Sequence, residues 1–178
     1  MPRPTKLYLA YGSNLHKAQM RRRCPHARAV GSIMLTDALL IFRGVADVIY
    51  HPGQQVPCGV WRITAEDEQA LDRYEGIRSG FYEKEMVELD DGNEALLYVM
   101  AHSTGIYPPS AYYYETCKRG YADFDLDFAY LENALKQSYI TKQQDEWTQE
   151  RRVRQRSSSY QTKLAPMPKK FLQPNNGE

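Results

Sequence analysis

The chain has few of the features that mark secreted, membrane-spanning or metal-binding proteins. Its 178 residues include only three cysteines, which lie far apart at positions 24, 58 and 117 and form no Cys-x-x-Cys pair. An odd number of dispersed cysteines fits reduced cytoplasmic thiols better than a disulfide framework. No apolar run approaches the roughly 18 residues that cross a bilayer, and the N-terminal segment lacks the apolar core of a signal peptide. We therefore expect a soluble cytoplasmic protein with no membrane partner.

Neither the cysteines nor the four histidines show the spacing of metal ligands, so we expect no metal site. The net charge is only +1, but it is unevenly distributed. Residues 151–178 carry seven basic residues and one acidic residue, so this segment has a net charge of +6 and the remainder −5. The composition turns polar after about Tyr139. We predict one domain over residues 1–140 and a flexible, basic tail over residues 141–178.

A basic tail attracts nucleic acid through sequence-independent, salt-sensitive contacts. Disordered basic tails often bind nothing in particular, so nucleic-acid association stays a secondary alternative that rests on the tail alone. Truncation after Tyr139 would decide it: loss of salt-sensitive DNA or RNA retention would support the association, and no change would exclude it.

The most informative segment lies near the N-terminus, where an apolar strand runs directly into a polar turn. Its residues are Tyr8, Leu9, Ala10, Tyr11, Gly12, Ser13 and Asn14. Glycine permits close backbone approaches, and serine and asparagine favour turns. If a helix begins near His16, the turn presents free backbone N–H groups of the kind that bind carboxylates or a developing oxyanion. An ordinary strand-to-helix connection is the alternative interpretation.

A second segment ends a predicted helix over residues 64–74, where Glu75 immediately precedes Gly76. A carboxylate at a helix C-terminus lies at the unfavourable end of the helix dipole, and burial would raise its pKa further. A carboxyl group tuned in this way can act as a general base and then as a general acid near neutral pH. A solvated glutamate at a helix end is the alternative.

Elsewhere the patterns predict strands followed by helices, without regular alternation. The predicted strands are 6–11, 27–35, 38–42, 45–50, 56–63, 81–89 and 95–101, with turns at 51–54 and 90–93. Helices are predicted at 15–23, 64–74, 112–118 and 126–138, and the run Arg21-Arg22-Arg23 is interpreted as a solvated helix face. This order favours an α+β fold with a small, mixed, mainly antiparallel sheet curled into a β-barrel and flanked by helices.

Together the two segments resemble the γ-glutamylcyclotransferases, the group with a small curled barrel that includes the AIG2-like proteins. The first motif is Tyr8–Leu15. The second is Leu71-Asp72 with Glu75-Gly76, followed by Ser79–Tyr82 at the entry to a strand. A weaker match is Pro108–Tyr113. The resemblance covers roughly residues 5–138.

The resemblance implies an acyl-transfer or lyase-type enzyme without metal or organic cofactor, acting on a small γ-glutamyl molecule. The α-amine of the substrate attacks its own γ-carbonyl, which releases 5-oxoproline and an amine or amino acid. The resemblance makes Glu75 the catalytic base and Tyr8–Asn14 part of the substrate-binding site. It also makes Tyr82 and Tyr113 candidates to contact the glutamyl group.

Two alternatives stay open. A close variant of the reaction releases 5-oxoproline from a larger acylated amine. A different class is a non-catalytic binding protein for acidic small molecules on the same fold. The presence of Glu75 weighs against the second alternative, because binding alone does not require a carboxylate there.

Overall fold

The computed structural model describes residues 4–102 and 105–157, with side chains as far as residue 149. The strands in this part of the chain are β1 (Thr5–Ala10), β2 (Arg28–Phe42), β3 (Ala46–Thr64), β4 (Tyr82–Glu88) and β5 (Glu94–Met100). The α-helices are α1 (Lys17–Arg23), α2 (Ala65–Tyr74), α3 (Ala111–Asp123) and α4 (Phe128–Ser157). Two short 3-10 helices span Ser13–Leu15 and Ile77–Ser79.

The five strands form one mixed sheet with the order β2-β3-β1-β5-β4. Strand β1 is central, because it pairs antiparallel with β3 and parallel with β5. The α+β class and the mainly antiparallel pairing are therefore as predicted. Strand pairing does not close the sheet into a barrel in the described residues. Residues 33–36, in β2, and residues 87–91, at the end of β4, instead line a cleft of about 500 Å³.

Strands β2 and β3 form one long hairpin of 15 and 19 residues, where the sequence predicted four shorter strands. The predicted turn at residues 51–54 is wrong, because these residues form a bulge opposite Asp37. Gly53 has φ 77°, and its backbone N–H donates to Asp37 Oδ1 over 2.8 Å. The turn-forming residues therefore interrupt the ladder locally without reversing the chain.

The boundaries of helix α2 fix the position of Glu75. Thr64 caps its N-terminus and forms a reciprocal capping box with Asp67, as a helix starting at Thr64 requires. Glu75 is the C-cap, and its backbone N–H donates to the Leu71 carbonyl over 2.8 Å. Gly76 follows at φ 66°, a left-handed conformation that glycine adopts without strain and that stops the helix. Glu75 is thus fixed at the last turn of the helix.

The core lies between the sheet and the helices. The ring of Trp61 in β3 packs edge-on against the ring of Phe124, just after α3, with centroids 5.4 Å apart. The largest fully buried side chains come from both layers: Leu9, Leu15, Met20, Phe42, Val56, Ile63, Leu71, Leu96, Tyr121 and Leu131. Burial of side chains of this size contributes about 1.5–3 kcal/mol each, which is the main stabilising term for the fold.

Helix α4 is longer than predicted. The sequence placed its end at Ser138, whereas the helix continues to Ser157 and so crosses the proposed domain boundary at residue 140. Few apolar residues follow Ser138, but Gln, Lys, Glu and Arg have high helix propensity, and the extension keeps a half-buried face that includes Ile140 and Trp147. Lys142 and Glu146 form an i,i+4 ion pair at 3.7 Å. The part of the predicted flexible tail that follows Ser157 lies outside the described residues.

Across the residues that the structure describes, no helix has the length and apolar composition needed to cross a membrane.

Candidate active site

A cavity of about 240 Å³ lies where the end of β1, the end of α2 and the start of α3 converge. We call it the Glu75 cavity. Its walls are Tyr11, Gly12, Ser13, Asn14, Val45, Ala46, Tyr74, Glu75, Phe81, Tyr82, Tyr98 and Tyr113. The structure therefore brings the two segments singled out in the sequence, residues 11–14 and Glu75, to one site.

Glu75 contacts the polar turn directly. Its Oε1 accepts a hydrogen bond of 2.7 Å from Nδ2 of Asn14, although the two residues are 61 positions apart in the chain. Asn14 is buried and Glu75 is half-buried. The carboxyl group is thus held at the cavity wall beside the glycine-containing turn.

The pKa of the Glu75 carboxyl is raised to about 7. Burial is the largest cause, since a low-dielectric environment disfavours the charged form. The hydrogen bond from Asn14 and the charge of Arg23 both lower the pKa and offset part of the effect of burial. The carboxyl group is therefore divided between its charged and neutral forms near neutral pH, as a group that both accepts and returns a proton requires.

The raised pKa carries a stability cost that can be measured. Because the folded protein holds the Glu75 proton more tightly than the unfolded chain, stability is lost as the pH rises from about 4.5 to about 7. After a discount for the partial exposure of Glu75, the loss is about 1–2 kcal/mol. The side chain of Glu75→Gln stays neutral at every pH. We therefore expect the free energy of unfolding of the variant, measured relative to wild type, to be larger at pH 8 than at pH 4.5 by that amount.

Urea denaturation at the two pH values measures this difference. Glu94→Gln is the matched control, because Glu94 is exposed at the start of β5 and away from the cavity. An equal stability difference between Glu75→Gln and wild type at pH 4.5 and pH 8 would contradict the raised pKa.

The turn offers unpaired backbone donors. Ser13–Leu15 forms a 3-10 helix with Gly12 as N-cap. Within the described residues, the backbone N–H groups of Gly12, Ser13 and Asn14 donate to no other protein group. A Cβ on Gly12 would lie 2.9 Å from the Ala46 Cβ and 3.0 Å from the Tyr113 hydroxyl, so only glycine fits without displacing a neighbour. The turn can supply N–H donors to a carboxylate or an oxyanion.

Asn14 connects four side chains. Its Nδ2 also donates to the Tyr8 hydroxyl over 2.8 Å, and its Oδ1 accepts from the guanidinium of Arg23. Its backbone carbonyl accepts from Trp61 Nε1 over 3.1 Å. The cationic donor on Oδ1 fixes the amide so that Nδ2 faces Glu75. The interpretation of the arginine run as a solvated face is therefore wrong for Arg23.

Three predicted tyrosines line the cavity and hold its walls through their hydroxyls. Tyr11 donates to the Tyr98 carbonyl over 2.6 Å, and Tyr82 donates to the Ala46 carbonyl over 2.6 Å. The Tyr113 hydroxyl accepts from the Ala46 N–H over 3.1 Å. Burial raises the pKa of all three phenols above its ordinary value, so they remain neutral. Neutral hydroxyls shape the cavity without adding charge.

The other predicted residues lie behind the cavity. Leu9 and Ala10 are buried in β1, and neither lines the cavity. Tyr8 is buried as well and reaches the site only through its hydrogen bond with Asn14. Their placement in the central strand positions the turn that follows.

Sequence reasoning missed several cavity residues. Tyr74 and Phe81 flank the predicted Glu75 segment, and Tyr98 lies on β5, which is buried along almost its whole length. Val45 and Ala46 come from the loop between β2 and β3 and from the start of β3. Adjacency to Glu75 was a usable signal for Tyr74, whereas Val45 and Ala46 reach the site only through tertiary folding.

No group of three or more His, Cys, Asp or Glu side chains within residues 4–102 and 105–157 is arranged to hold a metal ion.

The sequence and the fold are similar to those of known proteins. Residues 8–118 match the family described as gamma-glutamyl cyclotransferase, AIG2-like. The gamma-glutamylcyclotransferase of Homo sapiens is 30% identical over 142 residues, which is 71% of this chain and 75% of that protein. The Bos taurus gamma-glutamylcyclotransferase is 29% identical over 140 residues, covering 70% and 74%.

A solved structure titled gamma-glutamyl cyclotransferase superposes with a TM-score of 0.63 at 27% identity. The match covers 74% of this chain and 86% of that chain. The chain belongs to the gamma-glutamyl cyclotransferase, AIG2-like family. The resemblance predicted from the sequence motifs is therefore confirmed.

Proposed function

We propose that this protein is a γ-glutamylcyclotransferase that releases 5-oxoproline from a small γ-glutamyl compound, with Glu75 as the catalytic base. One observation carries the proposal: the half-buried Glu75 carboxyl, with its pKa raised to about 7, lies 2.7 Å from Asn14 Nδ2 in the wall of the Glu75 cavity. Family membership supports the reaction type.

Substrate binding places the glutamyl group against the turn. The backbone N–H groups of Gly12, Ser13 and Asn14 are donors for its α-carboxylate or for the oxygen of its γ-carbonyl. The hydroxyl-bearing walls at Tyr11, Tyr82 and Tyr113 confine the aliphatic chain. Since the attack is intramolecular, holding the chain in a folded geometry removes most of the entropic part of the barrier.

Proton transfer then follows from the state of Glu75. The carboxylate accepts one proton from the substrate α-ammonium, and the neutral amine attacks the γ-carbonyl carbon. Negative charge develops on the carbonyl oxygen, where each well-placed N–H donor stabilises the transition state by about 3 kcal/mol.

Collapse of the tetrahedral species breaks the amide C–N bond. Glu75 returns its proton to the leaving nitrogen, and the ring nitrogen then passes its own extra proton to the Glu75 carboxylate, from which it reaches the released amine. The products are 5-oxoproline and an amine, which is protonated in water. One carboxyl group with a pKa near 7 can serve both transfers.

The cysteines are consistent with a cytoplasmic setting and take no part in the proposed chemistry. Cys24, Cys58 and Cys117 are free and buried, and burial raises the pKa of each thiol to about 12. Protonated, buried thiols are poor nucleophiles.

Arg23 is expected to tune Glu75. Its guanidinium lies over the Tyr74 ring, 3.1 Å from the centroid, and donates to Asn14 Oδ1. Arg23→Met removes a charge that lowers the pKa of Glu75. We therefore expect the acidic limb of the kcat/KM profile to move to higher pH, with a loss of about tenfold at pH 7.

Two further variants sharpen this test. Arg23→Lys keeps the charge but not the planar stacking, so it should leave the limb near its wild-type position. Arg21→Met removes an exposed arginine of the same helix and should change nothing. An unshifted limb in Arg23→Met would contradict the role of Arg23.

The activity itself is tested with a panel of γ-glutamyl amino acids and γ-glutamyl amines. The chain is incubated with each compound, and 5-oxoproline is identified by mass. We expect at least one compound to yield 5-oxoproline in proportion to enzyme. Binding of γ-glutamyl compounds without any product would instead favour the non-catalytic alternative.

A further inference from the structure

Two half-exposed aromatic side chains form an apolar rim on the Glu75 cavity. Tyr74 and Phe81 both line the cavity, yet they are 48% and 50% exposed. Val45 lines the same cavity and is half-buried. Large aromatic side chains left half-exposed beside a reactive group offer contact area to a ligand. We call Tyr74 and Phe81 the aromatic rim.

Contacts restrain the Tyr74 side chain and the Phe81 backbone. The Arg23 guanidinium covers one face of Tyr74, whose hydroxyl lies 3.5 Å from Ser13 Oγ. The Phe81 N–H donates to the Gly76 carbonyl over 3.1 Å, and the Phe81 carbonyl accepts from Ala101 over 3.1 Å. The Tyr74 ring can therefore contact a ligand with little loss of conformational freedom, and the backbone that carries Phe81 is fixed at both its N–H and its carbonyl.

The position of the rim follows from the chemistry proposed above. If Glu75 returns its proton to the leaving nitrogen, that nitrogen must lie within hydrogen-bond distance of the carboxyl. Tyr74 immediately precedes Glu75 in the chain, and Gly76 immediately follows Glu75. The Phe81 backbone N–H donates a hydrogen bond to the Gly76 carbonyl. A substituent on the leaving nitrogen can therefore reach these two rings.

The charge around the cavity adds a second constraint. Among the residues described, the cavity walls contain no lysine, arginine or histidine, and Glu75 is their one carboxyl group. Arg23 lies behind Tyr74 and is engaged with Asn14. An acidic side chain on the leaving group would meet Glu75 without a cation in the wall.

We propose that the aromatic rim is a specificity subsite that selects γ-glutamyl compounds whose leaving group is apolar and preferably aromatic. The inference rests on the proposed cyclotransferase function and adds the class of leaving group. A leaving group with a phenyl ring that packs on the rim should have a kcat/KM about tenfold higher than one that ends in a methyl group.

Four substrates test the proposal. γ-Glutamyl-phenylalanine and γ-glutamyl-alanine differ by a phenyl ring, and γ-glutamyl-phenethylamine and γ-glutamyl-ethylamine repeat that difference without the second carboxylate. We expect wild type to prefer the aromatic member of each pair by about tenfold in kcat/KM. A preference confined to the second pair would identify amines, rather than amino acids, as the leaving groups.

Variants connect the preference to the rim. Phe81→Ala and Tyr74→Ala should bring the aromatic-to-aliphatic ratio close to one, mainly through KM, because the lost contact is uniform binding. Phe81→Leu should keep part of the ratio, since it keeps apolar area. Tyr139→Ala is the matched control, because Tyr139 is also 50% exposed but lies on α4, outside the cavity. Its ratio should equal that of wild type.

The outcomes separate the two proposals. The specificity subsite would be overturned, and the cyclotransferase left intact, if the alanine and ethylamine compounds are turned over and the aromatic-to-aliphatic ratio of kcat/KM in wild type is near one. The same conclusion would follow if both alanine variants keep the wild-type ratio. Absence of 5-oxoproline from all four substrates and from the wider panel would overturn both.

Discussion

Glu75→Gln is expected to lower kcat for 5-oxoproline release by about 10³-fold while the protein stays folded. Glutamine has nearly the shape of glutamic acid, and its side-chain oxygen can still accept the 2.7 Å hydrogen bond from Asn14. It cannot accept a proton from the substrate ammonium or return one to the leaving nitrogen. The measurement is initial rate by mass-detected 5-oxoproline on the best substrate of the panel.

Two controls separate loss of chemistry from loss of structure. Glu94→Gln makes the same chemical change at an exposed carboxylate outside the cavity and should retain wild-type kcat. Circular dichroism and the unfolding midpoint should show that Glu75→Gln is folded. A folded Glu75→Gln variant within tenfold of wild-type kcat would show that another group supplies the base.

The second large effect is the pH dependence of wild type. In the proposed mechanism the active form of Glu75 is the carboxylate. Its pKa of about 7 means that the carboxylate fraction falls about tenfold for each pH unit below 7. The substrate ammonium stays protonated over this range and adds no slope. We expect kcat/KM to be about 100-fold lower at pH 5 than its plateau above pH 7.

Loss of folding does not explain this decline. A raised carboxyl pKa makes the folded state bind the proton more tightly, so protonation of Glu75 stabilises the fold as the pH falls. Activity should therefore recover fully when enzyme held at pH 5 is returned to pH 8. A profile that is flat from pH 5 to pH 7 would contradict a base with a pKa of about 7.

The sequence predicted the parts of the site that depend on local patterns. The β1 strand and the turn at Gly12 combine strand-like apolar density with residues that have a clear turn role. Helix α2 has a cap at Thr64 and a stop at Gly76, so the position of Glu75 at its end was predictable from neighbouring residues. The meeting of these segments was predicted through the family resemblance, since no local pattern specifies a contact between residues 61 positions apart.

The conformation of residues 51–54 and the contacts of Arg23 depend on tertiary contacts that outweigh local sequence preferences. The residues at 51–54 favour a turn, but cross-strand pairing on either side continues the hairpin, and the local preference appears only as a bulge. Arg23 belongs to a basic run with no pattern that distinguishes it from Arg21. Only the approach of Asn14 and Tyr74 gives its guanidinium partners.

The end of the sheet and the end of the chain show two further limits. Periodicity predicts that strands exist but not whether edge strands meet, and here β2 and β4 line a cleft rather than pair. Helix α4 continues past Ser138 with only two large apolar residues, Ile140 and Trp147, on its half-buried face, so the apolar periodicity that predicts helices gave only a weak signal there.

We propose that one carboxyl group, that of Glu75, titrates near neutral pH and limits the rate through its ionisation. Carbon-13 NMR titration of glutamate-labelled protein, with the Glu75 carboxyl resonance assigned by its absence from Glu75→Gln, measures that pKa directly. We expect a midpoint of about 7 that coincides with the acidic limb of kcat/KM. A Glu75 carboxyl that titrates at the ordinary value of about 4.3, with the kinetic limb elsewhere, would contradict it.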